Sequence, residues 1–249
     1  MIVLNNISFY RGAVPVITGI TKTFEVGESY AFVGANGCGK TTLMRILAGL
    51  ETPTEGDVIF FERNIKSISP LGLSKKRAML SQKSSVFGNP TARQVIHIGR
   101  YAATKELCVP NFLSLILEVD HLLDRPINSL SGGEQQRVHF CRTLFQLMES
   151  DKDFPENKVL ILDEPFNHLD LKNRRIVLNV YREFVKAGNL GLLIAHDLDL
   201  VAQCADEVLL MKNGKFFFEG VPSIALSENL INDVFDMKFN FFQYESVPK

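Results

Sequence analysis

The stretch Gly34-Ala35-Asn36-Gly37-Cys38-Gly39-Lys40-Thr41 constrains this chain more than any other. It fits the pattern G-x-x-x-x-G-K-[ST] in the setting that pattern needs: Glu28 to Val33 reads as a strand before it, and Thr42 to Ala48 as a helix after it. The glycines let the backbone curl so that its N–H groups point inward, and the helix start adds partial positive charge, so the loop is shaped for phosphate oxygens. Gly34, Asn36, Gly37, Cys38, Gly39, Lys40, Thr41 and Thr42 are therefore the candidate phosphate-binding set. Lys40 would reach the β- and γ-phosphates, and the Thr41 hydroxyl would ligate Mg2+. A glycine-rich turn with an exposed lysine is the bland alternative, and the segments downstream weigh against it.

With 249 residues, 46% of them apolar, the chain can build one large α/β core with or without a smaller lobe. Its net charge of −1 leaves no electrostatic footprint for nucleic acid, so none is expected as a partner. No apolar run approaches the roughly 18–20 residues that span a bilayer. Met1 to Asn6 lacks the features of a signal peptide, and a soluble, cytosolic protein is the expectation. Cys38, Cys108, Cys141 and Cys204 are scattered without metal-ligand spacing, and most of them read as small buried hydrophobes in a reducing compartment. Cys38 stands apart, because oxidation inside a phosphate cradle would block nucleotide, although a small filler is the expected role there.

Residues 2–9 are strand-like and lead to Tyr10. A ring near a nucleotide site can stack an adenine, although an aromatic at a strand end is more often ordinary packing. Thr23 to Glu28 reads as strand and turn, Pro53 to Asp57 as a turn and Val58 to Phe61 as a strand. Antiparallel strands thus precede a parallel βαβ core, and a mixed sheet is expected. Arg77 to Ser81 is a short strand ending at Gln82. A glutamine there usually means nothing; in an ATPase its amide would touch Mg2+ and the attacking water.

From Lys83 to about Met148 the pattern is helical. Thr91 and Gln94 have capping-box spacing at the start of a helix through Tyr101, and Phe112 to Val119 reads as a second helix, apolar nearly all round. Ser131 and Glu134 repeat the capping-box spacing before a helix to about Met148. Capping does not call for Gly132 and Gly133, since each glycine costs about 1 kcal/mol of helix propensity. Bare N–H groups at a positively polarised helix start make a second anion site.

Val159 to Leu162 is a run of four apolar residues, as in a central parallel strand buried on both faces. Asp163 and Glu164 follow at the carboxyl edge of the sheet, where open α/β folds bind ligands. A buried structural carboxylate is the ordinary explanation. Beside a phosphate loop, Asp163 reads as the Mg2+ holder and Glu164 as the base for an attacking water. Pro165 to Asp170 is a turn, and Ile176, Val177, Val180, Tyr181 and Phe184 follow the helical period until Gly188. Leu190 to Ala195 is another buried strand, ending at His196, which is structural unless it reaches the γ-phosphate from the same edge. Val208 to Phe218 reads as a hairpin around Asn213-Gly214, followed by short helices from Pro222 to Phe235. The apolar residues of the tail from Lys238 to Phe242 are expected to pack back on the body.

Taken in order, these segments resemble the nucleotide-binding subunit of an ABC transporter from Ile2 to about Phe235. Residues 34–41 are similar to its Walker A motif, Leu130 to Gln135 to the LSGGQ-type motif in its LSGGE form, and Val159 to Glu164 to Walker B. Gln82 falls at the Q-loop, Asp170 at the D-loop and His196 at the switch histidine, and Tyr10, thirty residues before Lys40, at the adenine-stacking aromatic. The resemblance implies an α/β fold: a P-loop NTPase, ABC-type nucleotide-binding domain. It would have a mixed β-sheet catalytic core (about 1–82 and 151–222), an inserted helical subdomain (about 83–150) and a C-terminal extension (223–249).

It also implies ATP and Mg2+ as cofactors and ATP hydrolysis coupled to transport. Two copies would face each other, with Ser131, Gly132 and Gly133 of one meeting the ATP held by Lys40 of the other, and the D-loop Asp170 counted in the same site. A separate transmembrane permease, docked between core and helical lobe, and an external substrate-binding protein complete the implied assembly. The subunit would be cytoplasmic, peripheral on the cytoplasmic face of the inner membrane. Val95 to Tyr101 resembles the V-x-x-G-R segment of ATPases for iron-siderophore, haem and vitamin B12 import, and Ala195 to Ala202 their H-D-L-x-x-A region. Import of an iron chelate or cobalamin is the expected task. A zinc or manganese transporter, and a soluble ABC ATPase acting on ribosomes or DNA, are the alternatives. Asn167-His168-Leu169-Asp170 replaces the commoner Ser-Ala-Leu-Asp and Cys141 a common Ala, and neither departure is expected to touch a required catalytic group.

Overall fold

The computed structural model describes residues 1–81, 86–101, 108–150, 152–167 and 169–236. The chain opens with β1 (Ile2–Arg11), β2 (Val14–Phe24), β3 (Ser29–Val33), helix α1 (Lys40–Leu47), β4 (Glu55–Phe60), β5 (Arg63–Asn64), α2 (Pro70–Ser74) and β6 (Arg77–Leu80). Helices α3 (Ala92–Ile98), α4 (Asn111–Ile116) and α5 (Gly132–Leu147) come next. The order then runs β7 (Val159–Asp163), α6 (Leu171–Lys186), β8 (Leu190–Ile194), α7 (Leu198–Cys204), β9 (Glu207–Lys212), β10 (Lys215–Gly220), α8 (Pro222–Ala225) and α9 (Glu228–Phe235).

The strands divide between two sheets. One has the order β10-β9-β3-β8-β7-β6 and is parallel except where β10 pairs antiparallel with β9, so it is the expected mixed sheet. The early antiparallel strands do not join it; they form a second sheet in the order β2-β1-β4-β5. In β3, β7 and β8 every residue is buried, which is why these segments read as apolar runs without polar alternation. Their period of two still sorts the side chains. Tyr30, Phe32, Val159, Ile161, Leu192 and Ile194 join a core shared with α1 and the antiparallel sheet, whereas Ala31, Val33, Leu160, Leu162 and Leu193 join a core shared with the helices.

Local chemistry sets the element ends. Thr91–Gln94 and Ser131–Glu134 both form complete capping boxes, and Asn213 and Gly214, both at positive φ, make the β9–β10 turn. Helix α3 stops at Ile98 rather than Tyr101. The second apolar helix is shorter than its composition implies: α4 ends at Ile116, Glu118 turns the chain at φ 50, and Leu115 is 60% exposed, so one face meets solvent. The tail from Lys238 to Phe242 lies outside the described residues.

Candidate active site

The strand register gathers the site at one sheet edge. Phe32 of β3 and Asp163 of β7 both pair with Ile194 of β8, so the three strands end in a row. The phosphate loop leaves β3 there, Glu164 follows β7, and His196 stands two residues beyond Ile194. The Glu164 N–H donates to the Ile194 carbonyl at 3.0 Å, and Glu164 itself has φ 55, a left-handed turn that lifts its carboxylate over the edge.

The loop is packed too closely for side chains at two of its glycines. A Cβ on Gly34 would lie 2.2 Å from the Met211 carbonyl oxygen, and one on Gly39 2.9 Å from that of Val16, at φ 108. Gly39 is also the N-cap of α1 and supplies no side-chain cap, which leaves the helix start to an outside acceptor. Lys40 is buried, its Nζ donating to the carbonyls of Gly34 (2.7 Å) and Ala35 (3.0 Å). The Thr41 hydroxyl donates to the Asp163 carboxylate at 3.2 Å. Burial pushes the Asp163 carboxyl above the usual carboxylate range, the Thr41 bond opposes this, and the neighbouring Glu164 charge adds to it. His196 Nε2 lies 2.8 Å from one Glu164 oxygen, and Asn167 Nδ2 donates to the other.

Lys40, Thr41, Asp163, Glu164 and His196 therefore converge as expected. A polar cleft of about 690 Å³ is lined by Asn36, Gly37, Gly39, Lys40, Thr41, Thr42, Glu164, Ile194 and His196, together with Arg11 and Val16 of the β1–β2 hairpin. That volume suits a nucleotide-sized ligand. Gly34 and Cys38 shape the loop from beneath, Cys38 being buried with its sulfur 3.9 Å from Lys40 Nζ.

Other expected residues stand elsewhere. Tyr10 is not among the residues lining the cleft; the next residue, Arg11, is. Ser131 and Gly132 are exposed at the start of α5 and are not among the residues lining the cleft. There Glu134 accepts from the Ser131 N–H (2.7 Å) and hydroxyl (2.8 Å), and the backbone bond first of all holds its carboxyl below the usual range. Gln136 ties this helix to the catalytic edge by donating to the Pro165 carbonyl at 3.1 Å. Asp170 is the N-cap of α6, accepting from the Asn173 N–H at 2.8 Å. Gln82 and His168 lie outside the described residues. The expectation that the 167–170 segment touches no catalytic group is corrected by Asn167, which holds Glu164.

Known proteins resemble this chain in sequence and fold. The ABC transporter family pattern matches residues 17–167, more than half of the chain. A hemin import ATP-binding protein of Rhodopseudomonas palustris is 36% identical over 233 residues, covering 92% of this chain and 86% of its own length. One of Plesiomonas shigelloides is 31% identical, covering 97% of each. Among solved structures, an ATP-binding cassette of an ABC transporter superposes with a TM-score of 0.81 at 23% identity, covering 94% of this chain and 98% of its own. A dimeric cassette in a post-hydrolysis state with ADP and Pi gives 0.76 at 20% identity, covering 89% and 99%. At those identities the two structures speak for the fold, while the family match and the relatives reach further. This chain belongs to the ABC transporter family, as one of its ATP-hydrolysing subunits.

Proposed function

We propose that this subunit powers a separate membrane permease importing haem or a related iron chelate, and that two copies clamp ATP between them. The observation that carries the reading is the meeting of Lys40, Thr41, Asp163, Glu164 and His196 at one sheet edge, while Ser131 and Gly132 stand exposed on the same chain. One helix start lines the cleft; the other, exposed on the surface, would serve the nucleotide of a second copy. Haem as cargo is supported by the names of the Rhodopseudomonas and Plesiomonas relatives. The permease, an external binding protein acting through it, and a place on the cytoplasmic face of the inner membrane belong to the same proposal. So does the division into a core (about 1–82 and 151–222), a helical subdomain (about 83–150) and an extension (223–249). No helix among the described residues is long and apolar enough to cross a membrane.

In the proposed reaction a water oxygen bonds to the γ-phosphorus, the bond to the bridging oxygen breaks, and ADP and phosphate result. Glu164 takes the water proton, and His196 with Asn167 fixes the direction of its carboxylate. Lys40 exchanges the carbonyls of Gly34 and Ala35 for phosphate oxygens. The Thr41 hydroxyl and the buried Asp163 carboxylate form a hard-oxygen pair that fits Mg2+, which would neutralise phosphate charge. Glu164→Gln should lower turnover by roughly 10²–10⁴ while ATP binding persists and a paired species accumulates on size exclusion. Near-normal turnover would remove Glu164 from the base role. In vesicles holding the co-purified permease, ATP-driven haem uptake is expected; zinc or manganese uptake in its place would overturn the cargo.

A further inference from the structure

We propose that Asn167 is a positioning residue for Glu164 and that Gln136 of α5 holds the loop that carries it, so that the helix with the exposed Ser131–Gly132 start sets the aim of the base in its own chain. The inference rests on the base role proposed for Glu164 and adds what directs it. Glu164 leaves β7 with φ 55, and its two carboxylate oxygens meet different donors: His196 Nε2 at 2.8 Å on one, Asn167 Nδ2 on the other. An ionised carboxylate only accepts, so the amide turns its NH2 toward it. A donor on each oxygen fixes the carboxylate plane, and a carboxylate oxygen can still accept from a second direction.

Asn167 reaches the base without lining the nucleotide cleft. Glu164 and His196 line both that cleft and a second cavity of about 340 Å³, whereas Asn167, Arg174 and Asp197 line only the second. The amide therefore touches the base but is not among the residues that a nucleotide in the cleft would meet. Its loss should change how the base is aimed and leave ATP binding alone.

The loop around Asn167 is fixed on both sides. Phe166 and Leu169 are buried in the core shared with the helices. The Leu169 carbonyl accepts from Arg174 Nε at 2.9 Å, and the Pro165 carbonyl from Gln136 Nε2 at 3.1 Å. The Gln136 tie comes from α5, little more than one helical turn beyond Ser131. A shift of α5 thus pulls on the Pro165 carbonyl and, through the same loop, on the amide that aims Glu164. Displacements of about 1 Å at a reacting group are enough to cost 10²-fold in rate.

Steady-state kinetics of the full chain test this, with turnover taken at the plateau of its dependence on protein concentration so that pairing does not enter. Asn167 is exposed, so its replacement leaves the core intact. Asn167→Ala should lower kcat about 10- to 100-fold with KM for ATP within about twofold. Asn167→Asp keeps the shape but replaces the donor with a charge, and should fall at least as far. Gln136→Glu sets a carboxylate against the Pro165 carbonyl and should lower kcat about three- to tenfold, again without a change in KM. Combined with Asn167→Ala it should cost no more than about a further twofold, because both act through one amide. In Glu164→Gln, where no base is left to aim, Asn167→Ala should move the residual turnover by less than about twofold. Full kcat in Asn167→Asp, a loss that appears in KM instead, or an undiminished loss in the Glu164→Gln background overturns the role of Asn167. A double variant that loses the full product of the two single effects overturns the link to Gln136. Failure of the underlying reading looks different: Glu164→Gln by itself would keep near-normal turnover.

Discussion

Helices α1 and α5 both begin at glycines and both aim their first N–H groups outward, yet they use them differently. The start of α1 sits in a cleft, its N-cap Gly39 offers no side chain, and a buried lysine stands beside it. The start of α5 is on the surface and closes on itself, with Ser131 and Glu134 capping each other. A helix end left uncapped inside a polar cleft costs stability unless an anion completes it. A self-capped end costs nothing while it waits, and an incoming phosphate must compete with a carboxylate already in place. In the proposed clamp the cleft is ready in one chain, and the α5 tip would become a phosphate site only when another chain delivers the charge.

The largest expected effect separates the two ends most sharply. Lys40→Ala removes a charge-assisted bond at the α1 start, and ATP binding to dilute single chains should weaken roughly 10- to 100-fold. Ser131→Ala acts at the other end. Binding to dilute chains should stay within about twofold, while turnover at concentrations that favour pairing falls roughly tenfold. Equilibrium dialysis against ATP, run beside a turnover assay across protein concentration, checks both. If Ser131→Ala weakened binding in the dilute chain as Lys40→Ala does, the α5 start would belong to its own chain's cleft and the contrast would collapse.

The contrast also explains what the residues disclosed in advance. The α1 end and β7 were legible because their signals are local: spacing of glycines, an apolar run, two acids at its end. Both capping boxes were legible for the same reason. Tyr10 and Arg11 were not, because the β1–β2 ladder carries irregularities from Leu4 to Tyr10, and each one shifts the phase by which alternation is counted. The grip of Asn167 on Glu164 depends on a left-handed Glu164, a conformation that composition does not announce for a glutamate. The separation into two sheets was hidden because β1 finds β4 across more than forty residues, a pairing no local pattern encodes. Helix α4 ended early at another left-handed glutamate, Glu118, so apolar residues that looked continuous divide between a helix and a turn.

The smallest effect tests the self-capping itself. In Glu134→Gln the amide can still accept from the Ser131 N–H, so the capping box survives and only the negative charge at the helix start is lost. A charge in that position contributes about 0.3–1 kcal/mol, and for a chain of this size 1 kcal/mol shifts Tm by roughly 2–4 °C. The variant should therefore melt a degree or a few degrees lower at pH 7. The sign with pH follows from the lowered Glu134 carboxyl. Its stabilisation is complete above the pKa of the unfolded chain, and it is lost as pH falls through the lower folded value. The gap between wild type and variant should then narrow as pH falls below the ordinary carboxylate range and close below the lower folded value, when both carry a neutral group at the α5 tip. A gap that stayed constant down to acid pH would mean that Glu134 acts by shape alone. The surface helix start would then hold no charge for a partner's phosphate to displace.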